Sequence, residues 1–177
     1  MTADHVAIVS VGSNLGDKLD NCLKGIGALT GTEKIRLVGL SRFFRTSPVD
    51  FTDQAWFVNA VIKVTTALEP LPLLDELIAI QRRMGRRVDT VRFGPRVLDL
   101  DILLFDDRIL TTTRLEIPHP RMHKRAFVLQ PMCDIDPAIV HPVLGETVAA
   151  LLARLDDDGQ QVIPVHDQPE CLPGRLS

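Results

Sequence analysis

The sequence predicts an α+β sandwich, and three observations carry that expectation. Apolar, β-branched runs and amphipathic stretches follow one another in the order strand, helix, strand, strand, helix, strand. In the third strand-like run Phe57, Asn59, Val61 and Lys63 alternate with Val58, Ala60, Ile62 and Val64. The chain has 177 residues, of which 45% are hydrophobic and 24% charged, enough for one core and most economically one domain. A βαββαβ order of this length reads as a ferredoxin-like sandwich, an antiparallel-containing sheet with helices on one face, here with an extra C-terminal helix. Residues 1–155 are expected to form that domain and residues 156–177 an irregular, acidic tail.

Taken in order, residues 6–11 (VAIVSV) form the first strand, which Gly12 ends. Gly12-Ser13-Asn14-Leu15-Gly16 is a strand-to-helix turn. It lacks the Gly-Lys-Ser/Thr of a P-loop and the three glycines of a dinucleotide fingerprint. Asp17 or Asn14 caps a helix carrying Leu19, Leu23, Ile26 and Leu29 at helical spacing. A second strand is expected over residues 35–44 and a third over residues 56–66. On the third, Asn59 shares a face with Phe57: either an exposed face beside a loop, or an amide that pairs with a ligand's edge while the ring stacks on it.

Pro70 and Pro72 open the next helix, Leu73, Leu74, Leu77, Ile78, Ile80 and Met84 give it an apolar stripe, and Gly85 ends it. Residues 86–95 then form a loop poor in apolar side chains. The fourth strand follows. Asp99 and Asp101 point the same way on it, with Leu98, Leu100 and Ile102 on the opposite face. Two neighbouring acids repel each other and are unfavourable in strands, so a divalent cation is the natural reason for the pair. Mg2+ prefers carboxylate oxygens and shares its shell with substrate phosphates.

Six arginines, Arg82, Arg83, Arg86, Arg87, Arg92 and Arg96, stand against Asp89 alone just upstream, inside a chain whose net charge is −3. Such an island suits bidentate capture of phosphate oxygens, or is a solvated helix face and loop. A second basic stretch surrounds Pro118-His119-Pro120. His119 and His123 have helical spacing, but Lys124 and Arg125 disfavour a cation there, and phosphate contact fits better. A final amphipathic helix is expected over residues 143–155.

The acidic balance excludes a general nucleic-acid track. No window approaches the roughly 18 apolar residues of a membrane span, and a cytoplasmic location is expected. Cys22, Cys133 and Cys171 are odd in number and lack C-x-x-C spacing, so they are read as reduced.

Together these segments resemble the 6-hydroxymethyl-7,8-dihydropterin pyrophosphokinase family of folate biosynthesis. The resemblance spans residues 6–155, and its most specific part is Arg92-x-Gly94-Pro95-Arg96-x-x-Asp99-Leu100-Asp101-Ile102. Supporting matches are Gly12-Ser13-Asn14-Leu15-Gly16, Phe44-Arg45-Thr46, Phe57-x-Asn59-Ala60, Gly85-Arg86, Pro118-His119-Pro120 and Arg125-Ala126-Phe127. The resemblance implies transfer of the terminal diphosphate of ATP to the hydroxymethyl group of a reduced pterin, with release of AMP. It implies that Asp99 and Asp101 hold two Mg2+ ions and that Arg86 and Arg96 engage phosphates as a lid closes. Ile102, Arg114, His119 and Arg125 complete the implied nucleotide side. The pterin is implied to lie between Phe57 and Phe127, read by Asn59, with the backbone of Thr46, Ser47, Pro48 and Val49 closing the pocket. Gln81 departs from a glutamate common in relatives, which leaves a change at Arg86 or the metal shell open. A monomer acting on ATP and a pterin, without nucleic acid or membrane, is expected. The competing readings are a two-metal nucleotidyltransferase, since an Asp-x-Asp strand suits that chemistry, and a non-catalytic ligand sensor, which leaves the Asp pair unexplained.

Overall fold

The structure, a computed structural model, describes residues 4–50, 52–85, 94–156 and 159–168. Its centre is strand β1 (His5–Ser13), whose residues 7, 9 and 11 are fully buried. β1 pairs antiparallel with β4 (Phe57–Thr66) on one side and with β5 (Asp99–Phe105) on the other. β2 (Ile35–Leu40) and β3 (Phe44–Thr46) pair in turn with β4, also antiparallel. The single strand expected over residues 35–44 is thus two. At the break, Ser41 takes the ladder position with both backbone and hydroxyl: its N–H donates to the Val61 carbonyl (3.0 Å) and its Oγ accepts from the Val61 N–H (2.9 Å).

Helices α1 (Lys18–Thr30) and α2 (Pro70–Arg83) pack on one face of the sheet. Asp17, not Asn14, caps α1, its carboxylate accepting from the Asp20 N–H (3.1 Å). Cys22, Ile26 and Leu29 of α1, with Leu73, Leu77 and Ile80 of α2, meet Val9, Val11, Leu98, Leu100 and Ile102 in one buried cluster. Gly25 lets α1 close on the foot of β5, since a Cβ there would fall 2.7 Å from a methyl of Leu98. Gly85 leaves α2 with φ +99°, a conformation that suits glycine.

The opposite face departs from expectation. The expected sandwich carries its helices on one face, yet α3 (Ala126–Ile135) and α4 (Val148–Ala153) cover one end of the other. A bulge between Ile8 and Val9 explains part of this. It turns Leu103 and Leu104 both toward α3, where they join Ile8, Val61, Met132 and Leu151. Pro131 inside α3 masks that helix in the sequence, because proline lacks the N–H of a helix interior. The helix expected over residues 143–155 shrinks to α4: Gly145 turns the chain at φ +69°, and the Thr147 hydroxyl caps the new start, accepting from Ala150 N–H (3.2 Å). A small ribbon, β6 (Leu110–Thr111) with β7 (Glu116–Ile117), was not foreseen.

Beyond residue 155 an irregular tail was expected, but Val162–Pro164 forms β8 and extends the sheet by pairing with β3. The main sheet therefore runs β5-β1-β4-β3-β8, with β2 also on β4. The fold is a mixed α/β domain on an antiparallel sheet with helices on both faces. Among the described residues no helix is long and apolar enough to cross a membrane.

Candidate active site

The uncovered end of the second sheet face is polar by construction. Alternation that buries Leu98, Leu100 and Ile102 under α1 and α2 turns Asp99 and Asp101 to the other side. Directly opposite them on β1 stand Gly12 and Ser10, and opposite Gly12 on β4 stands Asn59. One row across three strands therefore reads Asp99, Gly12, Asn59. A cavity lies over it. Asp99, Asp101 and Arg96 line one side of this cavity and Phe57, Asn59 and Thr46 another. Ser47, Pro48 and Val49 close it from the loop after β3, and Arg125 and Phe127 from the start of α3.

Several side chains are held firmly. Asn59, only 8% exposed, donates from Nδ2 to the Thr46 hydroxyl (2.5 Å). Its Oδ1 hangs over Gly12, where a Cβ would come within 2.4 Å of it. Arg96 donates from Nη1 to Asp99 (2.7 Å), while its Nε is buried with no hydrogen-bond partner among the described residues. A buried donor of this kind costs free energy until an acceptor arrives. Asn14 anchors Arg96 from behind: its Oδ1 accepts from the Arg96 N–H (2.7 Å), and its Nδ2 donates to Gln54 (2.9 Å). Asn14 thus ties the arginine to the loop on the far side of the cavity.

His119 sits beside this cluster, its backbone N–H bonded to the Leu103 carbonyl (2.9 Å). Burial, with the nearby Arg125 and Arg121 guanidiniums, pushes its pKa down to about 4 against the opposing pull of Asp99. The ring is neutral at pH 7, and Nδ1 accepts from the Arg121 N–H (3.1 Å), which leaves Nε2–H as its donor. The unfolded chain would protonate this ring near 6.5, so between about pH 6.5 and 4 it binds more protons than the folded one. Stability from His119 is therefore complete above that window and lost as pH falls through it, by about 3 kcal/mol at most. The measurement is urea unfolding at pH 7 and pH 4.5. His119→Gln is expected to flatten the difference, and an unchanged pH slope contradicts the assignment.

Two expected site residues, Ile102 and Arg114, are turned away from this cavity. Ile102 is 2% exposed and points into the core under α1 and α2, so its side chain does not reach the cavity. Arg114 is exposed and paired with Asp75 of α2. Arg86 lies outside the described residues. Gln81 is turned to the edge of β5: its Oε1 accepts from the Leu100 N–H (3.3 Å), between the two aspartates. It shields an otherwise open strand edge.

The sequence reading missed Ser10, Gly12, Asp50 and Gln54, all of which line the cavity. Gly12 carried a usable signal, because glycine inside a strand marks a close approach of other atoms. The tail was missed as well. The Gln161 N–H donates to the Ser47 hydroxyl (2.9 Å), and the Gln160 amide accepts from the Ala126 N–H (2.8 Å) and donates to the Lys124 carbonyl (3.1 Å). The chain after residue 158 thus braces both the Ser47 loop and the start of α3.

Paired carboxylates, guanidiniums and a ring-and-amide wall around one cavity define the class: a small-molecule-binding domain on an antiparallel sheet. A family model described as 7,8-dihydro-6-hydroxymethylpterin-pyrophosphokinase (HPPK) matches residues 8–137. The chain belongs to that family. It is similar to the 2-amino-4-hydroxy-6-hydroxymethyldihydropteridine pyrophosphokinase of Methylorubrum extorquens, 40% identical over 86% of this chain and 95% of that one. The protein of the same name from Pseudomonas aeruginosa is also 40% identical, over 88% of this chain and 95% of the relative. The folic acid synthesis protein of Schizosaccharomyces pombe is 34% identical over 99% of this chain, which spans only 24% of that relative's length. Among solved structures, wild-type HPPK-DHPS of Plasmodium falciparum with pteroate shares the fold at TM-score 0.69 and 15% identity, over 85% of this chain and 44% of that one. The nucleotidyltransferase and sensor readings are not favoured by these relationships.

Proposed function

We propose that the chain transfers the terminal diphosphate of ATP to the hydroxymethyl group of 6-hydroxymethyl-7,8-dihydropterin, releasing AMP. The observation that carries this reading is one cavity in which Asp99, Asp101 and Arg96 face Phe57, Phe127 and Asn59, in a member of this family. In the proposed reaction the pterin's hydroxymethyl oxygen attacks the β-phosphorus of ATP. The bond from that phosphorus to the oxygen bridging to the α-phosphate breaks, and AMP leaves with the bridging oxygen. The sheet order β5-β1-β4-β2, with α1 and α2 as crossovers, supports a ferredoxin-like core over residues 1–155, which β8 extends.

The donor set fits Mg2+. Two carboxylates, Asp99 and Asp101, share a strand face and line the cavity beside Arg96. A metal bound through two carboxylates and substrate phosphates is what Mg2+ favours, and two ions at Asp99 and Asp101 are proposed. When bound, they neutralise phosphate charge and align the displacement. The chain's own residues do the rest. Phe57 and Phe127 hold the flat heterocycle, and Asn59 with the Thr46–Val49 backbone reads its edge. Arg96, fixed by Asn14 and Asp99, offers its buried Nε to a phosphate oxygen. Arg125 and neutral His119 stand on the nucleotide side, with Arg86 proposed to join them.

The test is the product formed from ATP, Mg2+ and the reduced hydroxymethylpterin. AMP is expected; ADP would make the chain an ordinary kinase. Arg96→Ala is expected to lower kcat by roughly 100-fold with little change in pterin affinity, since its contact strengthens as charge moves. A change confined to KM would count against that role.

A further inference from the structure

Asp50 lies on the loop between β3 and β4 and lines the cavity beside Arg125. Two guanidiniums converge on its carboxylate. Arg121 Nη1 lies 3.0 Å from both Oδ1 and Oδ2, and Arg125 Nη2 lies 3.6 Å from Oδ2. Arg125 is itself fixed, with a side chain only 14% exposed and its guanidinium 5.4 Å from the centre of the Phe127 ring. The backbone N–H of Arg121 is bonded to His119, so both arginines hang from the short stretch that borders the aspartate pair.

Two cations brought this close repel one another, and their fork geometry accepts a carboxylate or a phosphate equally well. On the surface such an ion pair contributes little to stability. Its position gives it more meaning than its strength. The carboxylate stands inside the cavity, on the loop that supplies Pro48 and Val49, in the place where an anion held by Arg125 would lie.

We infer that Asp50 is an internal stand-in for a substrate phosphate oxygen, and that Arg121 is a second phosphate-gripping residue beside Arg125. This rests on the function proposed above and adds two residues to it. In the empty cavity Asp50 offsets part of the arginine pair's charge and keeps the pair preformed. Arriving triphosphate takes the guanidiniums, and the Asp50 carboxylate turns out into solvent. When product leaves, the carboxylate returns. The consequence is a pair of opposite effects: loss of Arg121 weakens nucleotide binding, whereas loss of the Asp50 charge removes a competitor and strengthens it.

The experiment is calorimetric titration of the whole chain with α,β-methylene-ATP and Mg2+, the analogue whose α–β linkage cannot be cleaved. Arg121→Ala is expected to raise Kd about tenfold. Asp50→Asn is expected to lower it about threefold. Thermal unfolding followed by circular dichroism serves as the folding control, and both variants are expected to melt near the parent because the pair is half-exposed. Equal Kd in all three proteins overturns the inference and leaves the proposed function standing. Weakened binding in Asp50→Asn overturns it too, since Asp50 would then be orienting the arginines rather than competing for them. Absence of analogue binding by the parent chain overturns the functional reading and the inference together.

Discussion

Asp101→Asn is expected to lower kcat at least about 100-fold while leaving the fold intact. Asparagine has nearly the same shape, and its neighbours Leu100 and Ile102 stay anchored in the core, so strand β5 has no reason to move. What is lost is one negative charge where the proposed ions and phosphates meet, and removal of a single electrostatic contact of this kind costs on the order of 10²-fold in rate. Asp99→Asn is expected to cost at least as much, because Asp99 also holds the Arg96 guanidinium at 2.7 Å. The two variants should differ in one respect. Asp99→Asn should loosen Arg96 as well, and so further weaken the response to nucleotide. The measurement is initial-rate AMP release across a Mg2+ series, with the half-saturating Mg2+ concentration rising in both variants. Near-normal turnover in either would remove the metal assignment from that residue.

How much of this was legible follows from how local each signal is. The Asp99-x-Asp101 geometry needs only strand alternation, and the structure agrees: Leu98, Leu100 and Ile102 lie on one face and the acids on the other. The succession β1, α1, β4, α2, β5 was legible from its apolar runs and helical stripes, whereas the one strand expected between α1 and β4 divides into β2 and β3. What escaped depends on contacts distant in sequence. Asp50 meets Arg121, 71 positions away, and Gln161 meets Ser47, 114 positions away. Nothing in the periodicity of either segment announces a partner. Helix α3 was hidden by Pro131 and by the dense basic charge just before it. The covered second face was hidden by the β1–β5 bulge, because a one-residue slip reverses which side chains point where. Ile102 shows the converse case. The family resemblance suggests a nucleotide contact, but the same alternation that exposes Asp101 turns the Ile102 side chain into the core.

Gly12→Ala is expected to raise the KM for the pterin about 30-fold with a much smaller effect on ATP. In an ordinary strand the change would help slightly, since alanine loses less conformational freedom than glycine on folding. Here the added methyl would fall 2.4 Å from Asn59 Oδ1. The amide cannot simply rotate away, because its Nδ2 is bonded to Thr46 and the residue is nearly closed to solvent. It must leave its seat, and a polar site that no longer meets its ligand loses roughly 2 kcal/mol, which is about 30-fold. Asn59→Ala should produce a similar loss by removing the amide outright. If both substitutions act through that amide, the double variant is expected to bind the pterin little worse than Asn59→Ala alone, since the methyl then meets empty space. Additive losses in the double variant would mean that Gly12 matters for something else, such as the spacing of Asp99 across the sheet, and would separate it from the reading of the pterin edge.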